Sequence, residues 1–249
     1  MVTLGSVGRK QSPEKKRRPN SGESLATQTA NRLRAAIFDG TYPPGAPLRE
    51  LRIARENGIS QATVREALQQ LESAGLVTRE ANIGTTVTRL SPREVRERVE
   101  LRASLEVLAA QQAAERMGDA EFAELERRLV ALGEAIQSDS YYEAAHRDLE
   151  FHRYVWECSG NETLCRILDQ LTLPLLAFVS VLRANGLQHL ADVTAAHEPL
   201  VAALRSRDRD TIAEAFTKGA TSSYEDFIDV TGAARRAQAF GMMGRLAGV

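Results

Sequence analysis

The sequence predicts a mainly α protein in two parts: a small N-terminal domain of three short helices with a β-hairpin, and a C-terminal antiparallel all-helical bundle. Three observations carry this prediction. Helical periodicity runs along almost the whole chain, one pair of short β-branched segments lies within 76–88, and the charge changes sign near residue 90. Residues 1–90 hold 14 Lys and Arg against 8 Asp and Glu, and residues 91–249 hold 18 against 25, within a net charge of −1. A basic first third suits a polyanionic partner, and the acidic remainder has another task.

Residues 1–22 place Arg9, Lys10 and Lys15-Lys16-Arg17-Arg18 among Ser, Pro, Gln and Gly, with no apolar periodicity. A disordered basic arm is expected, either a solubilising tail or an electrostatic supplement to nucleic-acid binding. Residues 23–90 form the first folded domain. Ala26, Ala30, Leu33 and Ile37 recur at helical spacing before Gly40, and Tyr42-Pro43-Pro44-Gly45 is a turn. Leu48, Leu51 and Ile53-Ala54 mark a short helix closed by Gly58. Ser60 is placed as an N-cap, after which Val64, Ala67, Leu68 and Leu71 share a face until Gly75. Leu76-Val77-Thr78-Arg79 and Thr85-Thr86-Val87-Thr88 read as strands around a turn at 81–84. This order of elements is a winged helix-turn-helix.

Ser91-Pro92-Arg93-Glu94 combines an N-cap, a Pro at the first helical position and a Glu three residues after the cap, so a new helix starts there. Residues 91–230 then show amphipathic runs at 93–117, 119–137, 141–157, 162–184, 189–206 and 208–230 and no credible strand, which predicts an antiparallel bundle. Residues 231–249 read as a flexible tail. No apolar run reaches the roughly 18 to 20 residues of a bilayer span, and no secretory signal is visible, so a cytoplasmic protein without a membrane partner is expected. Cys158 and Cys165 fit neither a disulfide framework nor a zinc ribbon and read as reduced thiols.

A helix-turn-helix lays its second helix in the major groove, so the outward residues at that helix's start, Ser60, Gln61, Thr63 and Arg65, are the DNA-binding candidates. Arg65 is the base reader, because a guanidinium can bond two acceptors on a guanine edge. Gln61 and Thr63 can donate to phosphate or base, and Arg49 and the wing turn at Gly84 meet the flanking backbone. The plainer reading of Arg65 is a solvated surface arginine. No acid stands three or four residues away, since those positions are Gln61, Ala62, Leu68 and Gln69, so an intrahelical ion pair does not explain it.

These residues carry a resemblance. Leu33-Arg34-Ala35-Ala36-Ile37, Gly40, Pro44-Gly45, Leu48-Arg49-Glu50, Ile59-Ser60, Val64-Arg65-Glu66-Ala67-Leu68, Leu71-Glu72, Gly75-Leu76-Val77 and Gly84 resemble the DNA-binding domain of the GntR family of bacterial transcription regulators, over residues 25–89. The resemblance implies operator recognition by a homodimer, with Arg49, Thr63, Arg65 and Gly84 at the family's usual contacts. Gln61 stands where an arginine is usual and Ile83 where the wing has a basic residue, which leaves more of the electrostatic attraction to the arm.

In the acidic part, Asp148 and His152 lie four apart on one helix and share a face, as a surface hydrogen-bonded pair or as two ligands of one metal ion. Asp148-Leu149-Glu150-Phe151-His152, Ser159-Gly160-Asn161, His197 and Asp208 resemble the FCD-type effector domain of the FadR-like branch, over about 93–228. That resemblance implies a divalent metal, zinc or nickel, held by one Asp and three His and helping to bind a small carboxylic acid. Asp148, His152 and His197 match three metal ligands, and Arg102 matches a position that can pair with the effector's carboxylate. The fourth ligand falls on Gly219. Three readings of that gap stand: a centre with three protein ligands completed by water or effector, a metal-free pocket enlarged by the glycine, or substitution by His189. Arg102 also reads as a solvated arginine, and Tyr141, Tyr142, Trp156 and Phe178 as either pocket lining or plain core.

The function these features predict is a ligand-responsive transcription regulator, a repressor in type, that binds double-stranded operator DNA as a dimer and senses a small molecule in its bundle. Two rivals are a metal-dependent enzyme built on the bundle and a non-specific architectural DNA binder. No paired general base, positioned nucleophile or phosphate-cradling loop supports the first, and the second requires affinity that falls with salt equally on all sequences.

Overall fold

The computed structural model describes residues 22–80, 84–138, 141–184, 191–222 and 224. All of the expected arm over 1–22 except residue 22, the wing tip with Ile83, His189 and the tail over 231–249 lie outside the described residues. Helix α1 (Leu25–Phe38) starts at Ser24, whose side chain accepts from the Thr27 N–H and satisfies one of the donors a helix start leaves open. Helix α2 (Glu50–Asn57) leads through Gly58 to the Ser60 cap of α3 (Gln61–Ser73), where Ser60 Oγ accepts from the Thr63 N–H at 3.1 Å. Strands β1 (Val77–Glu80) and β2 (Gly84–Val87) pair antiparallel with Val77 opposite Val87 and Glu80 opposite Gly84, one residue later and one earlier than their sequence patterns suggest. Gly84 closes the strand pair at φ +98°, a conformation that favours glycine. Ala30, Leu33, Ile37, Ile53, Val64, Ala67, Leu68 and Leu71 fill the core of this winged helix-turn-helix.

The bundle contains α4 (Pro92–Arg116), α5 (Asp119–Gln137), α6 (Tyr141–Cys158), α7 (Glu162–Ala184), α8 (Ala191–Ser206) and α9 (Arg209–Ser222). Helix α4 opens on the expected capping box: Ser91 Oγ accepts from the Glu94 N–H and the Glu94 carboxylate accepts from the Ser91 N–H. The closest packing joins α4 to α9, α5 to α6, and α4 and α6 to α7. Cys158 and Cys165 are free thiols, and among the described residues no helix is long and apolar enough to cross a membrane.

The two parts share one hydrophobic core. Leu33, Phe38, Leu68 and Leu76 of the first domain cluster with Ala145, Leu149, Trp156, Leu168, Leu173 and Leu176 of the bundle. Phe38 meets Tyr142 edge to face at 6.2 Å, and Gln170 Nε2 donates to the Ser73 carbonyl at 3.4 Å. Gly75 permits the approach: a Cβ there would lie 3.2 Å from Pro174 Cγ and 3.3 Å from the Gln170 carbonyl, and its φ is +73°. Tyr142 and Phe178 therefore belong to the seam between the parts, Phe178 beside Ile37, Leu76 and Val87.

Candidate functional site

The first candidate surface is the start of α3. Val64, Ala67 and Leu68 are buried, which turns Gln61 and Arg65 to the exterior, with Ser60, Arg49 and Gly84 also exposed and Thr63 half-buried. Ser60 Oγ lies 2.9 Å from Thr63 Oγ1, so both hydroxyls are engaged locally before any ligand arrives. Arg65 has a partner that the sequence pattern concealed. Its Nη2 donates to Glu50 Oε2 at 3.0 Å across the α2–α3 junction, with the arginine side chain 54% and the glutamate 28% exposed. No acid on α3 lies within helical reach of Arg65, and the ion pair forms instead between helices, over 15 residues of sequence. An exposed pair of this kind contributes ~0–1 kcal/mol, so it orients the guanidinium without locking it.

The second candidate site lies inside the bundle. Helix α6 carries Asp148 and His152 one turn apart, α8 contributes His197, and the three offer ligand atoms all within 4.8 Å of one another. All three are buried, and His197 Nε2 stands 3.0 Å from Asp148 Oδ1. Phe151 places its ring edge-to-face against both imidazoles, at 5.5 Å from His152 and 4.9 Å from His197. Two further groups from α4 complete the cluster. Arg102, buried rather than solvated, donates from Nε to Glu106 Oε1 at 3.1 Å, and the same oxygen faces His152 Nδ1 at 3.4 Å.

The electrostatics follow from burial and these neighbours. Burial works to raise the Asp148 carboxyl, but the His197 hydrogen bond and the charges of His197, His152 and Arg102 outweigh it and hold that carboxyl well below the usual range. Burial pushes His152 down to about 4 against the opposing pull of Glu106 and Asp148. Arg102 is held charged: burial disfavours the cation, while Glu106, Tyr224 and Asp148 more than compensate. A neutral imidazole beside an ionised carboxylate is the donor form that a transition metal requires.

The residues present fit a metal centre with three protein ligands. His152 Nδ1 is buried without a hydrogen-bond partner among the described residues, which is costly unless something satisfies it, and the ligand atoms of Asp148, His152 and His197 converge within 4.8 Å. Gly219 does not leave an enlarged pocket: a Cβ there would meet Leu200 Cδ2 at 3.2 Å, so the Leu200 side chain fills the space the glycine vacates. Trp156 is fully buried in the shared core, its ring 6.3 Å from that of His152. Sequence reasoning missed Glu50 and Glu106. The first carried no usable signal, whereas the second stands four residues after Arg102 on one helix, a readable ion-pair spacing.

A winged helix-turn-helix packed on a helical bundle that encloses a buried cluster of charged and histidine side chains is the architecture of a DNA-binding regulator. Residues 25–87 match the model of the bacterial regulatory proteins of the gntR family and residues 97–218 match the FCD domain, so the chain belongs to the GntR family, in its FadR-like, FCD-containing branch. It is 29% identical to the "Probable D-xylose utilization operon transcriptional repressor" of Paenarthrobacter nicotinovorans, covering 78% of this chain and 84% of that one. It is 26% identical to the gluconate operon transcriptional repressor of Bacillus licheniformis, over 85% of this chain and 86% of that one. Among solved structures, McbR/YncC of E. coli shares the fold with a TM-score of 0.67 at 22% identity, covering 90% of this chain and 98% of that one. These relatives are transcription regulators, which sets aside the metal-dependent enzyme; this chain is a transcription regulator.

Proposed function

We propose that the protein is a ligand-responsive repressor that binds operator DNA as a homodimer through Arg49, Ser60, Gln61, Thr63, Arg65 and Gly84, and senses a small carboxylic acid at Arg102, Asp148, His152 and His197. The observation that carries this reading is the placement of α6. One face of that helix bears Asp148 and His152, while Ala145, Leu149 and Trp156 on it enter the core shared with the DNA-binding domain. A ligand that shifts α6 therefore acts directly on the element against which α1 packs, and its effect on DNA equals its differential affinity for the two arrangements.

Asp148, His152 and His197 would hold a divalent transition ion, zinc or nickel, which supplies a Lewis-acid contact for a carboxylate oxygen. Arg102 adds positive charge beside it, and Phe151 screens the imidazoles from one side. The dimer is supported by the outer face of α4, where Leu101 and Leu108 stand seven residues apart and are 55% and 40% exposed, with Ile167 of α7 along the same groove as Leu101. Exposed leucines at heptad spacing on a long helix, beside a groove that is otherwise mostly polar, are residues a second copy would cover.

Elemental mass spectrometry of untagged protein purified without chelator tests the centre. About one equivalent of zinc or nickel per chain, lost in Asp148→Ala/His152→Ala, is expected. A metal-free protein whose operator affinity is insensitive to both added zinc and short carboxylates would overturn the reading.

A further inference from the structure

The buried acidic, basic and histidine side chains among the described residues are Arg102, Glu106, Asp148, His152 and His197, and all belong to one cluster. Arg102 meets Glu106 at 3.1 Å, Glu106 meets His152 at 3.4 Å, His197 meets Asp148 at 3.0 Å, and the Asp148 charge acts on Arg102. With both imidazoles neutral as metal ligands, the protein supplies two carboxylates and one guanidinium, an excess of one negative charge. A divalent ion turns this into an excess of one positive charge. A cluster buried this deeply tolerates an unbalanced charge poorly, so a ligand that joins it is selected to cancel what remains.

We propose that Glu106 sets the charge of the effector, making the loaded site a receptor for a monoanionic carboxylate in preference to a dianion. This deepens the reading of the site as a metal-assisted carboxylate sensor and rests on it. Without Glu106 the loaded cluster would carry two positive charges and match a dicarboxylate. Glu106 also engages Arg102 directly: the guanidinium Nε is already bonded to Glu106 Oε1, which weakens Arg102 as a clamp for a second carboxylate. The other Glu106 oxygen has no hydrogen-bond partner among the described residues, so no donor disperses its charge. The role differs from that of a metal ligand: Glu106 is a specificity-determining residue acting through the charge balance and through Arg102.

The test uses the full chain loaded with one equivalent of zinc and two pairs of probes of similar size that differ by one charge, succinamate against succinate and lactate against tartronate. Isothermal titration calorimetry measures affinities, and zinc content is measured alongside for every variant. Wild type is expected to favour the monoanion of each pair by about tenfold or more. Glu106→Gln, which keeps the shape and removes the charge, shifts each ratio by at least about tenfold toward the dianion. Arg102→Gln moves it the other way, weakening both probes and the dianion most, and it carries the test if Glu106→Gln fails to fold. Unchanged ratios in zinc-loaded variants that still bind the probes overturn the role of Glu106 and leave the sensor reading standing. Loss of zinc binding by wild type, or failure of zinc-loaded wild type to bind any probe, overturns the sensor reading and the inference with it.

Discussion

Replacing Arg65 by alanine separates base reading from every other role of that side chain. In the free protein its partner is Glu50 at 3.0 Å, in a pair whose side chains are 54% and 28% exposed. Solvent screening limits such a pair to ~0–1 kcal/mol, so Arg65→Ala leaves folding stability within about 1 kcal/mol of wild type. If the guanidinium makes a bidentate contact to a guanine, its loss removes ~1–3 kcal/mol of discrimination, which is about 5- to 150-fold in the ratio of specific to non-specific affinity. The assay is fluorescence anisotropy at about 0.15 M salt, with an operator recovered by selection from random duplexes and a scrambled control. A ratio within about twofold of wild type would refute the assignment, and equal weakening on both duplexes would reassign Arg65 to phosphate. Glu50→Gln provides the converse. It removes the carboxylate that competes for Arg65, and affinity for all duplexes rises by up to about fivefold.

Further expectations concern the bundle. Trp156→Ala, at a fully buried position in the shared core, costs about 3–5 kcal/mol in urea unfolding, and loss of less than about 1 kcal/mol would contradict the packing. In metal-free protein, acid destabilisation begins early: His152 is depressed to about 4 in the fold from its ordinary 6.5, so the unfolded chain binds the proton first and stability declines as pH falls through that window. Asp148, held below its ordinary 3.8, adds a second loss below that value, and flat stability between pH 6.5 and 4 in urea titrations would refute the first of these losses. Gly219→His alone gains no zinc affinity because Leu200 occupies the space, whereas Gly219→His with Leu200→Ala tightens zinc binding by calorimetry; equal affinity in both would show that Leu200 does not block the position.

Much of the fold was legible because its signals are local. Ser60 and Ser91 cap helices through hydroxyls three residues from the N–H groups they satisfy, and apolar spacing chose the buried faces of α1 and α3. The strand ends moved by one residue, since pairing register depends on the partner strand and the turn. Asp148 and His152 were readable as a same-face pair, but only packing of α8 against the bundle brings His197, 45 residues after His152, to the same point.

Local sequence suffices for the order of helices and wing, the split between a basic DNA-reading part and an acidic bundle, and the residue types at the candidate surfaces. Those depend on hydrogen bonds and side-chain spacing within a few turns of the chain. Tertiary structure alone decided that Glu50 holds Arg65, that Tyr142 and Phe178 fill a seam instead of a pocket, and that Leu200 closes the space beside Gly219. It also decided that Arg102 and Glu106 are buried together with the Asp and His cluster. Each of these outcomes depends on which helix faces which, and in a bundle that is set by the mutual burial of surfaces distant in sequence, where the energy of a charge depends on how much water its neighbours exclude.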